Sequence, residues 1–444
     1  MARCLACAFG WTLALVADTP PATPPRLVPS PEPGWPQWRG PVRDGRSPET
    51  GLLPQWPESG PNLLWKAGDL GHGYSAPILT GGRIYLAGDQ GENLRIFALG
   101  MDGQRIWESG NGRSWKGPYP GARASCTYSE GRLYHLNAHG RLVCLDAASG
   151  REQWAVDVLD RFDGKNITWA LSENLLVDGN RVIVTAGGRR ALMAALNKRT
   201  GETVWASEAL RLGPSENPAM QRLTEPAGQE DSAAYASPIL IQWGDRRMIV
   251  SCSMRHLFGV DPDNGRLLWT RPFATRYLVL PATPMLVGEA VFVTAPDSDA
   301  GGLYRLKRTG TGWDVERVWH TELDTCHGGW ALAENLIVGG WYRADRGWAA
   351  ISVETGAVRW RWKDIAKGSV LWADNLLYCL GEDGNVVLLK VTSTGPEVKG
   401  RFRLVEKRVN DAWTHPVLHD GRLYLRYHEN LFCYDVRAGI QASP

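Results

Sequence analysis

The feature that most constrains this chain is a segment that it repeats, cleanest at residues 131–154, GRLYHLNAHGRLVCLDAASGREQW. Gly131 to Leu136, Arg141 to Leu145 and Arg151 to Trp154 are short runs rich in Leu, Val, Tyr and Trp. Turns at His139-Gly140 and Asp146 to Gly150 separate them. Runs of β-forming residues bounded by Gly, Asn, Asp or Ser describe an antiparallel meander. The second turn has a fixed form: a polar residue, Gly four positions on, then Trp four positions later. Asp146/Gly150/Trp154 recurs as Asn197/Gly201/Trp205, Asp261/Gly265/Trp269 and Ser352/Gly356/Trp360, and Gly103 and Trp107 keep the second half of the spacing. The polar side chain can cap its own turn, Gly takes a positive φ without steric cost, and Trp buries a large face between sheets. One such unit cannot cover both its faces, so its neighbours must.

The closing tryptophans fall at 107, 154, 205, 269, 319 and 360, with Phe402 ending a degenerate seventh copy. The intervals leave room for four strands and their turns. Several copies open on a small or polar residue followed by proline: Ala76-Pro77, Ser237-Pro238, Thr283-Pro284 and His415-Pro416. Proline is tolerated at a strand start or an edge, which marks these as the innermost strands. The eighth copy, residues 415–436, stops before its Trp-bearing strand, and the missing piece occurs at the front of the chain as Leu63-Leu64-Trp65. Seven full sheets and one composite sheet give an all-β, eight-bladed β-propeller of four-stranded antiparallel blades. The N-terminal strand completes the last blade and closes the ring, which protects edges that would otherwise invite aggregation.

Around residues 63–437, which form the propeller, the chain divides simply. Residues 1–17 combine Arg3, an apolar core from Leu5 to Val16 and a small Ala17, the layout of an export signal. Residues 18–62 form a Pro-rich linker, to about residue 34, and then the Trp-rich segment 35–57, whose Trp35, Trp38 and Trp56 are expected to pack on the body. Residues 206–234 read as a polar surface insertion. With 49 basic and 47 acidic residues and a net charge of +2, there is no electrostatic case for nucleic acid. No segment past the signal is long and apolar enough to span a membrane. Cys144, Cys379 and Cys433 sit inside apolar strand runs and read as small buried hydrophobes.

The repeats GRLYHLNAHGRLVCLDAASGREQW and DPDNGRLLW resemble the quinoprotein-type, or PQQ-like, repeats of eight-bladed propellers. WPQWRGP near the N-terminus and DGRLYLRYHENLFCYDV near the C-terminus are similar to exported bacterial proteins of the BamB-like family. The resemblance covers about residues 63–436 and implies one of two roles. The BamB-like branch implies a non-catalytic binding or scaffold propeller in the periplasm or cell envelope, with a protein partner. The enzyme branch implies a quinone-dependent oxidoreductase of alcohols or sugars, with pyrroloquinoline quinone, calcium, and a ring of two adjacent cysteines over the cofactor. No Cys-Cys pair occurs in the sequence, so no resident cofactor, metal or catalytic residue is expected and the binding role is preferred. A carbohydrate-binding propeller that uses its tryptophans as stacking platforms is a third reading.

Motifs for other chemistry are missing: there is no phosphate-binding GxxxxGK[ST], HExxH, GxSxG or metal-finger CxxC. The most informative positions lie just before or within the inner strands, where a propeller lines its channel. They are His72, Tyr74, Arg123, Asn166, Trp169, Asp231, Tyr235, Arg276, His327, Trp330, Lys367, Trp413 and His415. With Arg123, Arg276 and Lys367 among them, they suggest a channel-mouth site for a small polar or anionic ligand in a monomeric protein.

Overall fold

The chain builds its body from strands of three to nine residues whose burial falls steadily from the inside outwards. The computed structural model describes residues 23–211, 230–273, 275, 277–296, 301–310, 312–342 and 346–439. The segment read as an export signal, residues 1–17, and most of the stretch 206–234 read as an insertion lie outside these residues.

Eight antiparallel sheets follow one another as blades. Blade 1 holds Ile78–Thr80, Arg83–Gln90, Asn93–Gly100 and Arg105–Arg113. Blade 2 holds Thr127–Ser129, Arg132–Leu136, Arg141–Asp146 and Glu152–Asp157. Blades 3, 4 and 5 start at Leu176–Asp178, Ile239–Trp243 and Met285–Val287. Blades 6, 7 and 8 start at Trp330–Ala333, Gly368–Ala373 and Val417–His419. Each first strand is the inner one, and the proline-marked starts at Pro77, Pro238, Pro284 and Pro416 directly precede four of them. Inner strands such as Gly368–Ala373 are buried throughout, whereas outer strands such as Trp313–Thr321 alternate between covered and exposed residues. That gradient is expected where one strand faces seven neighbours and another faces water. Among the described residues the one helix is Val158–Phe162, and no helix is long and apolar enough to cross a membrane.

Closure works as the repeat count requires. Asn62–Ala67 is the outer strand of blade 8, with Leu63 opposite Tyr434 and Trp65 opposite Cys433. The blades are then fastened to one another by a recurring contact. Gly103, Gly150, Gly201, Gly265 and Gly356 all have φ between 72° and 82°. Each turn is closed by a backbone bond, as from the Gly150 N–H to Asp146 O at 2.8 Å. Asp146, Asn197 and Asp261 also cap their turns through a side-chain oxygen. The indole of the preceding blade lies against the glycine. A Cβ at Gly201 would stand 2.7 Å from Trp154, and one at Gly150 would stand 2.6 Å from Trp107. The same indoles donate Nε1–H to a carbonyl of the neighbouring turn: Trp65 to Met101, Trp107 to Ala147, Trp154 to Lys198, Trp205 to Pro262, Trp319 to Val353 and Trp360 to Thr392, at 2.9–3.2 Å. Phe402 of blade 7 packs on Gly60, so the front of the chain supplies the turn glycine of the composite blade as well as its strand.

One member of the series differs. Trp269 turns onto its own blade, donating to Met248 Sδ at 3.1 Å and covering Gly259. In blade 5, which would receive it, the sequence lacks the glycine offset; Thr309 N–H donates to Gly312 O at 3.0 Å, and a Cβ at Gly310 would meet nothing within 4 Å.

The N-terminal segment does more than pack on the surface. Arg26–Leu27, within the stretch read as a linker, pairs with the inner strand of blade 4 as a fifth strand. Trp35 then exchanges backbone bonds with Leu79 of blade 1, and Ser47 N–H donates to Trp372 O of blade 7 at 2.8 Å. Arg39 donates to Trp330 O at 2.7 Å, Arg43 to Asn174 O and Leu175 O at 2.6 and 3.0 Å, and Arg46 to Leu332 O. Residues 26–47 thus bridge the inner strands of several blades and stopper the channel from one end. Trp35 and Trp56 are buried. All six described cysteines are buried and unpaired.

Gly201→Ala should cost about 1–3 kcal/mol, because Ala at φ near 73° is strained and its Cβ meets the docked indole. Urea unfolding of this variant beside Gly244→Ala, whose Cβ would meet nothing within 4 Å, isolates the clash from the backbone strain. Equal losses in the two would contradict the docking role. Trp65→Ala should cost about 3 kcal/mol. It should also narrow the cooperativity of unfolding, since the indole joins the first and last segments of the ring; an unchanged melting temperature would contradict this.

Candidate functional site

In a meander of four strands, the link from each outer strand to the next inner strand lies at the same end as the hairpin between the second and third strands. At that end of the ring the links converge on the axis, and the stopper blocks the opposite end. What remains is a cup of about 430 Å³. Its wall comes from the links: Tyr74 entering blade 1, Tyr119 and Arg123 entering blade 2, Trp169, Ser172 and Asn174 entering blade 3, Tyr235 and Ser237 entering blade 4, Tyr277 entering blade 5, Cys326 and His327 entering blade 6, and Trp413 and His415 entering blade 8. Tyr342 reaches it from the hairpin of blade 6, and Trp38 rises into it from the stopper.

The rings pack on one another. Trp413 lies 4.4 Å from His327, 4.8 Å from Tyr74 and 5.0 Å from Tyr119, ring centre to ring centre. Trp38 meets His415 edge-on at 5.1 Å, and Trp169 meets Tyr235 in a T at 6.0 Å. Such offset and edge contacts satisfy the ring quadrupoles and make a stiff wall. Burial pushes the Tyr74 phenol up to about 12 and pulls His415 down to about 3, so the first stays protonated and the second uncharged. His415 Nε2 lies 2.9 Å from His327 O and must donate there, while its buried Nδ1 makes no hydrogen bond.

The charged groups are already engaged. Arg123 donates Nε to Trp169 O at 2.8 Å, Nη1 to Gly121 O at 2.6 Å, and Nη2 to Pro118 O and Tyr119 O at 2.9 and 2.8 Å. Burial lowers it to about 10. Behind Trp413 and His327 sits Glu382, in the second hairpin of blade 7. It pairs with Lys367 through one oxygen, while the other lies 3.3 Å from His327 Nε2 and accepts from Trp413 Nε1 at 2.9 Å. Burial alone would raise this carboxyl, but the His327 and Lys367 contacts outweigh it and hold it at about 2. The Lys367 ammonium also lies 4.6 Å over the Tyr342 ring.

Seven of the residues singled out from the sequence line the cup: Tyr74, Arg123, Trp169, Tyr235, His327, Trp413 and His415. Lys367 stands behind the wall on Glu382. His72 stacks on His428 at 4.2 Å with planes 10° apart, beside Tyr74. Asn166 is at the surface, donating to Ala138 O at 2.9 Å. Asp231 is buried off the cup, where it accepts from Ser253 Oγ at 2.5 Å and meets His256 Nδ1 at 2.8 Å. Trp330 is a core residue packed edge-on against Phe292. Arg276 lies outside the described residues. Sequence reasoning missed Trp38, Tyr119, Tyr277, Tyr342 and Glu382. Glu382 had a findable signal, because its hairpin GEDG falls between two strand runs at the end of the ring where the links converge. Among the described residues no group of three or more His, Cys, Asp or Glu side chains could hold a metal ion.

Comparison with known proteins gives two lines of kinship. The chain is 26% identical over 160 residues to a quinoprotein ethanol dehydrogenase of Pseudomonas aeruginosa, and 24% identical over 159 residues to the quinoprotein alcohol dehydrogenase PedH of Pseudomonas putida. The first match covers 36% of this chain, and the matched stretches span about a quarter of the relatives' length, 24% and 23%. Among solved structures, BamB from Moraxella catarrhalis superposes with a TM-score of 0.58 at 16% identity, covering 84% of this chain and 99% of that one. A quinohemoprotein alcohol dehydrogenase from Comamonas testosteroni gives 0.59 at 13% identity, covering 93% and 82%. These likenesses carry the fold. Residues 92–362, more than half of the sequence, match the family described as outer membrane protein assembly factor BamB, and the chain belongs to that family.

Proposed function

We propose that this protein is a binding propeller of the cell envelope, which holds a ligand or partner at its aromatic cup without changing it chemically. The observation that carries this reading is the state of Glu382. A general base needs a carboxylate free to take a proton, matched to the working pH. Glu382 is instead tied to Lys367, His327 and Trp413 and held at about 2. It serves as the peg that fixes two wall residues, His327 and Trp413, from behind. Membership in the BamB family supports the same reading, as does the envelope setting implied by the sequence of the first 17 residues.

The dehydrogenase relatives raise the alternative of quinone chemistry, and the described residues do not fit it well. A calcium ion polarising a quinone carbonyl needs free oxygen ligands. The carboxylate behind the wall is committed to an ammonium and an imidazole, and the other charged group at the cup, Arg123, would repel a cation. The protein incubated with pyrroloquinoline quinone and calcium should therefore give no dye reduction with a panel of alcohols and sugars. Turnover would overturn the proposal.

If Glu382 is a peg, its loss is felt in stability. Its carboxyl is held below its ordinary value of 4.5, so its contribution is present in full above pH 4.5 and is lost as pH falls through about 2. Glu382→Gln should cost about 3 kcal/mol at pH 7. The gap from the native protein, followed by urea unfolding, should close between pH 4.5 and 2. A gap independent of pH would contradict the charge pairing.

A further inference from the structure

The chemistry of the cup narrows its ligand further, on the premise that it is a binding site. Eight of its lining side chains are Trp or Tyr, so its faces are apolar while their edges carry N–H and O–H groups. The polar groups at its base are uncharged. Asn174 donates Nδ2–H to Ser237 Oγ at 2.9 Å and accepts from the Ser125 N–H at 2.6 Å. Ser237 Oγ also accepts from the Asn174 N–H at 3.0 Å, which leaves its own hydroxyl proton to donate. Ser172 Oγ makes a long 3.4 Å bond to Tyr235 O, weak enough to be exchanged for a better one.

Among the described residues, the cations near the cup, Arg123 and Lys367, do not offer themselves to an anion. Arg123 directs all three nitrogens at main-chain carbonyls, and those bonds hold residues 118–121 against Trp169. Lys367 is neutralised by Glu382 behind the wall. A carboxylate or phosphate entering the cup would have to break one of these sets, and unmade bonds to buried charged groups cost more than ordinary ones. A purely apolar ligand would in turn strand Ser172, Ser237 and the Tyr74 hydroxyl without water. The volume lies within the range of about 300–1,000 Å³ found for small-ligand sites, near its lower end.

Aromatic faces with uncharged hydrogen-bonding groups, in a cup of this size, match a ring with an apolar C–H face and a rim of hydroxyls. We infer that the cup binds a neutral pyranose sugar, one or two rings long, stacked against Trp169 and the Tyr74–Trp413 wall, with its hydroxyls toward Ser172 and Ser237. Trp38 sets the depth of the site, because it is carried in by the stopper rather than by a blade.

The test is a glycan array of neutral, amino and acidic sugars, followed by calorimetry with the best neutral sugar and with glucuronate. A saturable neutral sugar is expected, bound at least as tightly as glucuronate. Trp169→Ala and Tyr119→Ala should each weaken it tenfold or more. The Tyr119 side chain is half exposed, so that variant should melt with the native protein and separate recognition from folding. Absence of any neutral sugar binding, or glucuronate binding tenfold tighter, would overturn the assignment. Dye reduction with quinone and calcium on the same sample keeps the two questions apart: turnover of a bound sugar would overturn the non-catalytic reading and leave the ligand class standing.

Discussion

The contact between a tryptophan of one blade and the glycine turn of the next is the interaction on which the rest depends. A four-stranded sheet alone exposes two apolar faces and two edges. The indole covers the neighbouring turn, and its N–H satisfies a carbonyl that the turn leaves unpaired. The contact is closest where the turn carries no Cβ, which is why the same offset recurs from Gly103 to Gly356; Trp360 reaches Thr392 O of blade 7 without such a glycine and keeps only the hydrogen bond. Its strength is shared around a ring, so each blade is held by both neighbours. Trp269, which faces a turn without the glycine offset, folds back instead on Met248 and Gly259 of its own blade.

A second constraint is the charge that the ring encloses. Arg39 and Arg43 are fully buried, yet they meet main-chain carbonyls more than carboxylates, and burial lowers both to about 10. Arg426, at the seam between blades 8 and 1, gives its guanidinium to the carbonyls of His428, Ser75, Ala87, Leu70 and Gly71. A rigid planar fork with five donors suits this use, because inner-strand ends leave carbonyls without partners. The guanidinium groups thereby join segments that no sheet joins. Those of the stopper, Arg39, Arg43 and Arg46, thereby seal one end of the channel and convert a pore into a cup.

What could be read from the sequence follows from how local each signal is. The Asp146/Gly150/Trp154 spacing is turn chemistry, complete within nine residues, and it gave the blades and their number. Leu63-Leu64-Trp65 was legible because the last copy lacks what these residues supply. The stopper was not legible: Arg43 meets Leu175 and Arg39 meets Trp330, pairings 132 and 291 residues apart with no periodic signature. The same limit explains the site. Inner-strand links pointed to Tyr74, Arg123, Trp169 and Trp413, but Trp38 arrives from the segment read only as packing. Asp231 looked like a channel carboxylate, since its neighbours in sequence line the wall. The hairpin of blade 4 draws it away to Ser253 and His256.

Residues 26–47 are an integral floor of the propeller rather than a loosely attached leader. Amide hydrogen exchange tests this most directly. The Trp35 and Ser47 N–H groups bond to the inner strands of blades 1 and 7, as the Leu79 and Trp372 N–H groups bond back to the stopper. All four should exchange at the slow rate of global unfolding, together with the strand cores. Exchange of Trp35 and Ser47 orders of magnitude faster, with the inner strands still protected on their other edges, would contradict the account.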